Sequence, residues 1–166
     1  MSAIKIREAT INDLNRCYEI ETVSYAGDEA ASKDRISKRI ATYPEGFIVL
    51  EKNKEIAGFI NSGATNEIKL ADDGFKELIG HDPDGKYVVI LSVAVHPAYQ
   101  GRGFAGQLMK SFITRMTKLN KSCIYLICQT KLIEMYAKYG FCYMGKSESE
   151  HGGKRWHEMY LNLMDS

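Results

Sequence analysis

This chain of 166 residues has no Cys-x-x-Cys pair or other metal-ligand spacing, no internal repeat and no apolar run long enough to span a bilayer. Its charge is nearly balanced: 22 Lys and Arg stand against 21 Asp and Glu, a formal net charge of +1. Each shortage excludes something. Four scattered cysteines, Cys17, Cys123, Cys128 and Cys142, exclude a zinc ribbon or a disulfide framework. The apolar surroundings of Cys123, Cys128 and Cys142 make buried free thiols in a reducing compartment the expectation. Balanced charge excludes a broad nucleic-acid surface. Met1-Ser2-Ala3-Ile4-Lys5-Ile6-Arg7 carries no apolar signal core, so the expected location is cytoplasmic, with no membrane partner. What is present, 45% hydrophobic and 26% charged residues, is the composition of one globular domain over residues 1–166.

The periodicity predicts a mixed order of elements. Ile4 and Ile6 alternate with Lys5 and Arg7 as a short strand. Thr10-Ile11-Asn12-Asp13 reads as a capping box ahead of a helix whose stripe uses Ile11, Leu14, Cys17, Tyr18 and Ile20. Ser32 is placed to cap a second helix, Lys33 to Thr42. Phe47–Leu50 and Ile56–Ile60 read as strands around the polar hairpin 51–55. The polar stretch 63–86 holds one short helical candidate, Gly74 to Ile79, and a connection of that length is usually functional. Tyr87–Val95 reads as a long strand, 103–118 as a helix, Ile124–Ile127 as a buried strand and 130–139 as a helix ended by Gly140. Phe141–Met144 and Trp156–Leu163 close the chain as strands. The fold class is α/β around one sheet.

Gln100-Gly101-Arg102-Gly103-Phe104-Ala105-Gly106 is the most informative stretch, because it joins the long strand to an amphipathic helix. Glycines at a helix start leave N–H groups open and let a ligand approach the backbone. The partial positive charge of that terminus attracts a phosphate or diphosphate. Gly101-x-Gly103-x-x-Gly106 also spells the dinucleotide fingerprint. Its surroundings disagree with that reading. His96-Pro97-Ala98-Tyr99 separates the strand from the glycines, and no carboxylate ends the next strand at Ile127-Cys128-Gln129.

Gln100-Gly101-Arg102-Gly103-Phe104-Ala105 instead resembles the Arg/Gln-x-x-Gly-x-Gly/Ala signature of the GNAT N-acetyltransferase superfamily. Leu91-Ser92-Val93-Ala94-Val95-His96-Pro97 is similar to that family's fourth strand and its exit, and Tyr136-Ala137-Lys138-Tyr139-Gly140-Phe141 to its Tyr-x-Lys-x-Gly-Phe element. The resemblance implies one GNAT-like domain with a mixed, mostly antiparallel sheet of about seven strands flanked by about four helices. Glu21-Thr22-Val23-Ser24-Tyr25, Tyr43-Pro44-Glu45 and the stretch before Tyr87 look most like the arylalkylamine N-acetyltransferase branch, whose paired strand histidines correspond here to Val89 and Leu91.

The implied activity is acetyl transfer from acetyl-CoA, as co-substrate, to a primary amine by direct attack in a ternary complex, with no metal. By the resemblance the diphosphate lies on Gly101, Arg102, Gly103, Phe104, Ala105 and Gly106. The pantetheine arm pairs with the main chain of Val93, Ala94 and Val95 as an added strand. Tyr136 is implied as the general acid toward the departing thiolate. The general base stays open among Glu21, Glu45, Glu67, His151 and His157, or a water chain, while His96 reads as structural. Tyr25, Tyr87 and Phe47 are candidates for an acceptor pocket, and Lys118 and Lys121 suit the end of a helix. The expected partners are a small amine and, by analogy, a second copy in a homodimer. A protein N-terminal or lysine amine is the alternative acceptor, and a CoA-binding module without turnover is the alternative outside enzymes.

Overall fold

Residues 4–25, 30–68, 73–147 and 156–164 are described by a computed structural model. The alternation of the first residues gives β1 (Ile4–Glu8). A 3-10 turn at Ile11–Asp13 leads into α1 (Leu14–Ser24), and the Asp13 carboxylate accepts from the Thr10 main-chain N–H at 2.8 Å, one half of a capping box. Ile11 departs from the expected stripe. It sits in the tighter turn before the helix proper and is 58% exposed, while Cys17 and Ile20 are buried.

The Ser32 hydroxyl accepts from the Arg35 N–H at 3.2 Å and starts α2 (Lys33–Thr42), which stops before Pro44. β2 (Ile48–Lys52) and β3 (Glu55–Thr65) meet in a two-residue turn in which Asn53 and Lys54 both have positive φ. β3 runs further than the sequence predicts, because Gly63, Ala64 and Thr65 continue it instead of opening a loop. A side chain at Gly63 would strike Leu78 and Phe75 at 2.8 Å, so the glycine lets residues 75–78 lie down on the strand. The helical candidate 74–79 is a 3-10 turn, Asp73–Glu77.

The remaining elements are β4 (Tyr87–Val95), α3 (Phe104–Lys118), β5 (Cys123–Gln129), α4 (Ile133–Lys138), β6 (Cys142–Lys146) and β7 (Trp156–Asn162). The strands form one seven-stranded sheet in the order β1-β2-β3-β4-β5-β7-β6. The pairs are antiparallel except β4 with β5, which is parallel and covers just Tyr87–Val89 against Cys123–Tyr125. Beyond those residues the two strands diverge. An extra residue in β4, Leu91, bulges against β3 where the register shifts between Asn61 and Ser62.

One face of the sheet packs against α3 and α4 through Leu108, Met109, Phe112, Met116 and Tyr136. The other packs against α1 and α2 through Cys17, Ile20, Ile36, Ile40, Phe47 and Phe59. Cys17, Cys123 and Cys128 are buried free thiols, but Cys142 is exposed because it lies on the edge strand β6.

Candidate functional site

The divergence of β4 from β5 opens the sheet next to the glycine run. Gly101 and Gly103 have φ of 77° and 78°, and nothing lies within 4 Å of where their Cβ atoms would be. A residue with a side chain is strained in that conformation, so the glycines set the path of the loop. Gly103 is the cap of α3 and offers its first turn no side-chain partner; the first internal bond is from Gln107 N–H to the Gly103 carbonyl at 3.1 Å. The amides of Phe104, Ala105 and Gly106 precede that bond and have no partner within the helix. Arg102 is exposed, its guanidinium 5.4 Å from the Tyr99 ring centre. His96 Nδ1 accepts from Ala98 N–H at 3.0 Å, a structural role at the strand exit as expected.

On β4 the main chain that faces the opening is already engaged. The Tyr25 hydroxyl donates to the Val93 carbonyl at 2.8 Å and accepts from the Val93 N–H at 3.3 Å, and Gln100 Nε2 donates to the Val95 carbonyl at 3.1 Å. Tyr136 comes from α4 on the other side. It is 5% exposed, with its ring edge-on to Tyr139 and Phe141 at 6.3 and 5.9 Å. Burial pushes its phenol well above the usual value, with Tyr25, Cys128 and Tyr139 adding to the shift.

Under the bulge, on the α1/α2 face, lies a buried polar network that the sequence did not reveal as a unit. Glu21, Arg39, Asn61 and Ser92 are all 4% exposed or less. Glu21 Oε2 accepts from Ala31 N–H at 2.8 Å and from the Ser92 hydroxyl at 3.4 Å. Arg39 donates to Asn61 Oδ1 at 3.3 Å, to Ser92 Oγ at 3.4 Å and to the Lys76 carbonyl at 3.0 Å. Burial raises the Glu21 carboxyl above the usual carboxylate range, and burial lowers Arg39 to about 10. Glu21 Oε1, Ser24 Oγ and Asn61 Nδ2 are buried without a hydrogen-bond partner. The sequence signal for this network was weak, because Glu21 and Arg39 sit on helices where charged residues usually face water.

The other candidates fall elsewhere. Glu67 is exposed beyond the end of β3, and Glu45 is half-buried after α2. His157 lies between two hydroxyls, with Nε2 2.7 Å from Thr130 and Nδ1 2.9 Å from Tyr143, on the α4 side of β7. His151 falls outside the described residues. The three aromatic pocket candidates are not brought together. Phe47 is core against Phe59, Tyr87 stands against Tyr125 at the paired end of β4, and Tyr25 alone reaches the opening. Lys121 does not solvate a helix end, since it is 4% exposed and its amine donates to the Pro83 and Gly85 carbonyls, each at 2.6 Å.

Gly140-Phe141-Cys142-Tyr143-Met144-Gly145-Lys146-Ser147 spells a phosphate loop, yet residues 142–146 are extended strand paired with β7. Among the described residues no group of His, Cys, Asp and Glu is placed to hold a metal ion, and no helix is long and apolar enough to cross a membrane.

A mixed sheet split at its parallel strand pair, with a glycine-started helix at the split, defines the class of fold. The acetyltransferase (GNAT) family model matches residues 8–141, and the chain belongs to that family. Among solved structures it is similar to the loading GNATL domain of CurA from Lyngbya majuscula, with a TM-score of 0.86, 16% identity and coverage of 97% of this chain and 98% of that one. It is also similar to Ard1 from Thermoplasma volcanium, with a TM-score of 0.80, 21% identity and coverage of 98% and 99%. It is similar as well to YncA from Salmonella typhimurium with its cofactor acetyl-CoA, with a TM-score of 0.70, 21% identity and coverage of 99% and 96%. Among curated proteins it matches "Probable hydrolase YhcX" of Bacillus subtilis, 23% identical over 130 residues. That match takes in 73% of this chain, which spans 25% of the length of the relative.

Proposed function

We propose that this domain, over residues 1–166, transfers an acetyl group from acetyl-CoA to a small primary amine. The observation that carries the reading is the juxtaposition at the split. β4 leaves β5 after Val89 beside the open first turn of α3, and Tyr136 is buried near Tyr25, which reaches β4 at that split.

The residues fit the coenzyme. The first-turn amides of α3 and the space above Gly101 and Gly103 suit a diphosphate, which needs N–H donors and room for close approach. Val93 to Val95 offer main chain for an added strand once the Tyr25 hydroxyl gives up its two bonds to Val93 and the Gln100 amide gives up the Val95 carbonyl. Acetyl-CoA supplies an activated acetyl thioester. Tyr136 then gives its proton to the sulfur as the carbon–sulfur bond breaks. A buried phenol stays protonated throughout the neutral range, so it is ready as a donor and unsuited as a base. The burial that raises the phenol also raises the proton affinity of a thiolate released beside it, which keeps the transfer close to balanced.

A compact acceptor is favoured over a folded protein. Residues 73–82 lie against α2 and the end of β3, held by Arg39 to the Lys76 carbonyl and by Asp82 N–H to the Ala64 carbonyl at 2.8 Å. On this reading they cover the α2 side of the sheet, which suits a compact acceptor. The test is calorimetry with acetyl-CoA, followed by thiol release with phenethylamine, spermidine, an aminoglycoside and a short peptide. Acetyl-CoA binding with amine-dependent thiol release is expected. Binding without turnover on any acceptor means a coenzyme-binding module, and peptide turnover alone means a protein acceptor.

A further inference from the structure

We infer that the Glu21–Ser92–Arg39–Asn61 network is the docking site of the acceptor nitrogen, with Glu21 as the group that takes its proton; the inference rests on the acetyltransferase reading above. Among the described residues, the buried side-chain atoms without a partner are Glu21 Oε1, Ser24 Oγ, Tyr43 Oη, Asn61 Nδ2 and His81 Nε2. Glu21, Ser24 and Asn61 belong to one neighbourhood. Ser24 follows Glu21 by three residues on α1, so both share a helix face. Asn61 stands opposite Ser92 in the β3–β4 register, and Ser92 bonds Glu21. A buried polar atom left unpaired is costly, and a clustered set of them marks a place where a ligand completes the bonding. Glu21 Oε1 and Ser24 Oγ can accept from the N–H groups of a small polar ligand whose lone pair faces outward, whereas Asn61 Nδ2 is a donor and does not hold the ammonium.

The location agrees with the chemistry. Glu21 lies one turn before Tyr25 on α1, and the two side chains bond adjacent residues of β4, Ser92 and Val93. The network therefore sits one strand residue below the main chain that borders the split, across from Tyr136. A primary amine arrives as an ammonium and must lose a proton before it attacks. The proton passes to Glu21 Oε1, and the freed lone pair forms the new carbon–nitrogen bond while the carbon–sulfur bond breaks. The sulfur takes the Tyr136 proton, the acetylated nitrogen gives its second proton to the tyrosinate directly or through solvent, and Glu21 returns its proton to solvent. Arg39 is a positioning residue. It holds Asn61 and Ser92 and offsets the Glu21 charge without an ion-pair contact. The ionisable groups facing Glu21 are Arg39 from α2 and Cys17 from its own helix, and Tyr25 lies next to Arg39.

Glu21→Gln keeps the shape and removes the base. With the best acceptor of the panel, kcat is expected to fall by about 10²–10⁴-fold while acetyl-CoA affinity stays within about threefold. The rate should recover as pH is raised past the pKa of the amine, which a purely structural lesion would not do. A kcat within about threefold of the parent, with the same acid limb, overturns the inference. Should Glu21→Gln unfold, the parent itself supplies the test through carbon-13 NMR of its glutamate carboxyls. Phenethylamine, spermidine or methylamine at millimolar concentration is expected to shift the Glu21 carboxyl resonance. A resonance unmoved by all three overturns the docking site. Absence of acetyl-CoA binding by the parent, with that resonance still moved by amine, rejects the acetyltransferase reading and leaves the amine site standing.

Discussion

The two faces of the sheet are built on different principles. Behind α3 and α4, Leu108, Met109, Phe112 and Met116 are fully buried hydrocarbon, and no buried carboxylate or guanidinium accompanies them among the described residues. Behind α1 and α2 the apolar cluster is smaller, and Glu21 and Arg39 are buried beside it. Hydrocarbon burial supplies stability without direction, whereas a buried charged network is costly to hold and directional. The difference separates a face that keeps the sheet together from one that presents chemistry at its split.

The contrast breaks most sharply on deletion. Phe112→Ala should cost about 3–5 kcal/mol through the cavity it leaves. Arg39→Met should cost about as much, because it strands the Glu21 charge. The two differ in repair. Adding Glu21→Gln to Arg39→Met should restore at least ~1 kcal/mol, and adding it to Phe112→Ala should restore none, as urea midpoints would reveal. Equal responses would mean that the two faces are not different in kind.

Tyr136 lies in the apolar face but is placed to act at the split. Tyr136→Phe should lower kcat by about 10²-fold, with the acetyl-CoA KM within about threefold. Unchanged turnover would return Tyr136 to the core.

The pH dependence of stability sharpens the comparison further. The Glu21 carboxyl is raised by burial, so the unfolded chain releases that proton first. Stability should therefore fall as pH rises from the ordinary glutamate range through the higher folded value. Glu21→Gln should flatten that slope. Asp13, lowered mainly by its hydrogen bond from Arg7, has the opposite sign. Its contribution is present above the ordinary aspartate range and lost as pH falls through the folded value. Denaturant midpoints between about pH 3 and about pH 8 would separate the two slopes, and a single shared slope would contradict the assignment.

The smallest expected effect is at Tyr25. If its hydroxyl competes for Val93, Tyr25→Phe removes about 0.5–1.5 kcal/mol of competing bonds and tightens acetyl-CoA by roughly three- to tenfold in calorimetry. Weaker binding would show that the hydroxyl helps the coenzyme.

Much of the frame was legible in the residues. Ser32, Asp13 and Gly140 act at helix ends through bonds and dihedrals local to them, and Tyr87–Val95 is the strand its apolar run predicts. The glycine run could be read because positive φ has few residue solutions. Neither Leu91 as a bulge nor Lys121 as a tie to the Pro83 and Gly85 carbonyls could be read, since each depends on a partner distant in sequence. The Gly140–Ser147 stretch matches a motif by its letters alone, for a related reason. A phosphate loop needs the strand–turn–helix around it, and here the letters lie along an edge strand.

The amino-acid order by itself determined the helix caps, the alternation of the strands and the glycine-started helix, because these rest on interactions within a few residues. The tertiary structure decided where β4 leaves β5, which aromatics reach the opening and that Glu21 meets Ser92 across 71 positions. Those outcomes depend on packing between distant segments, where burial and the need to pair every polar atom select one arrangement that no local pattern encodes.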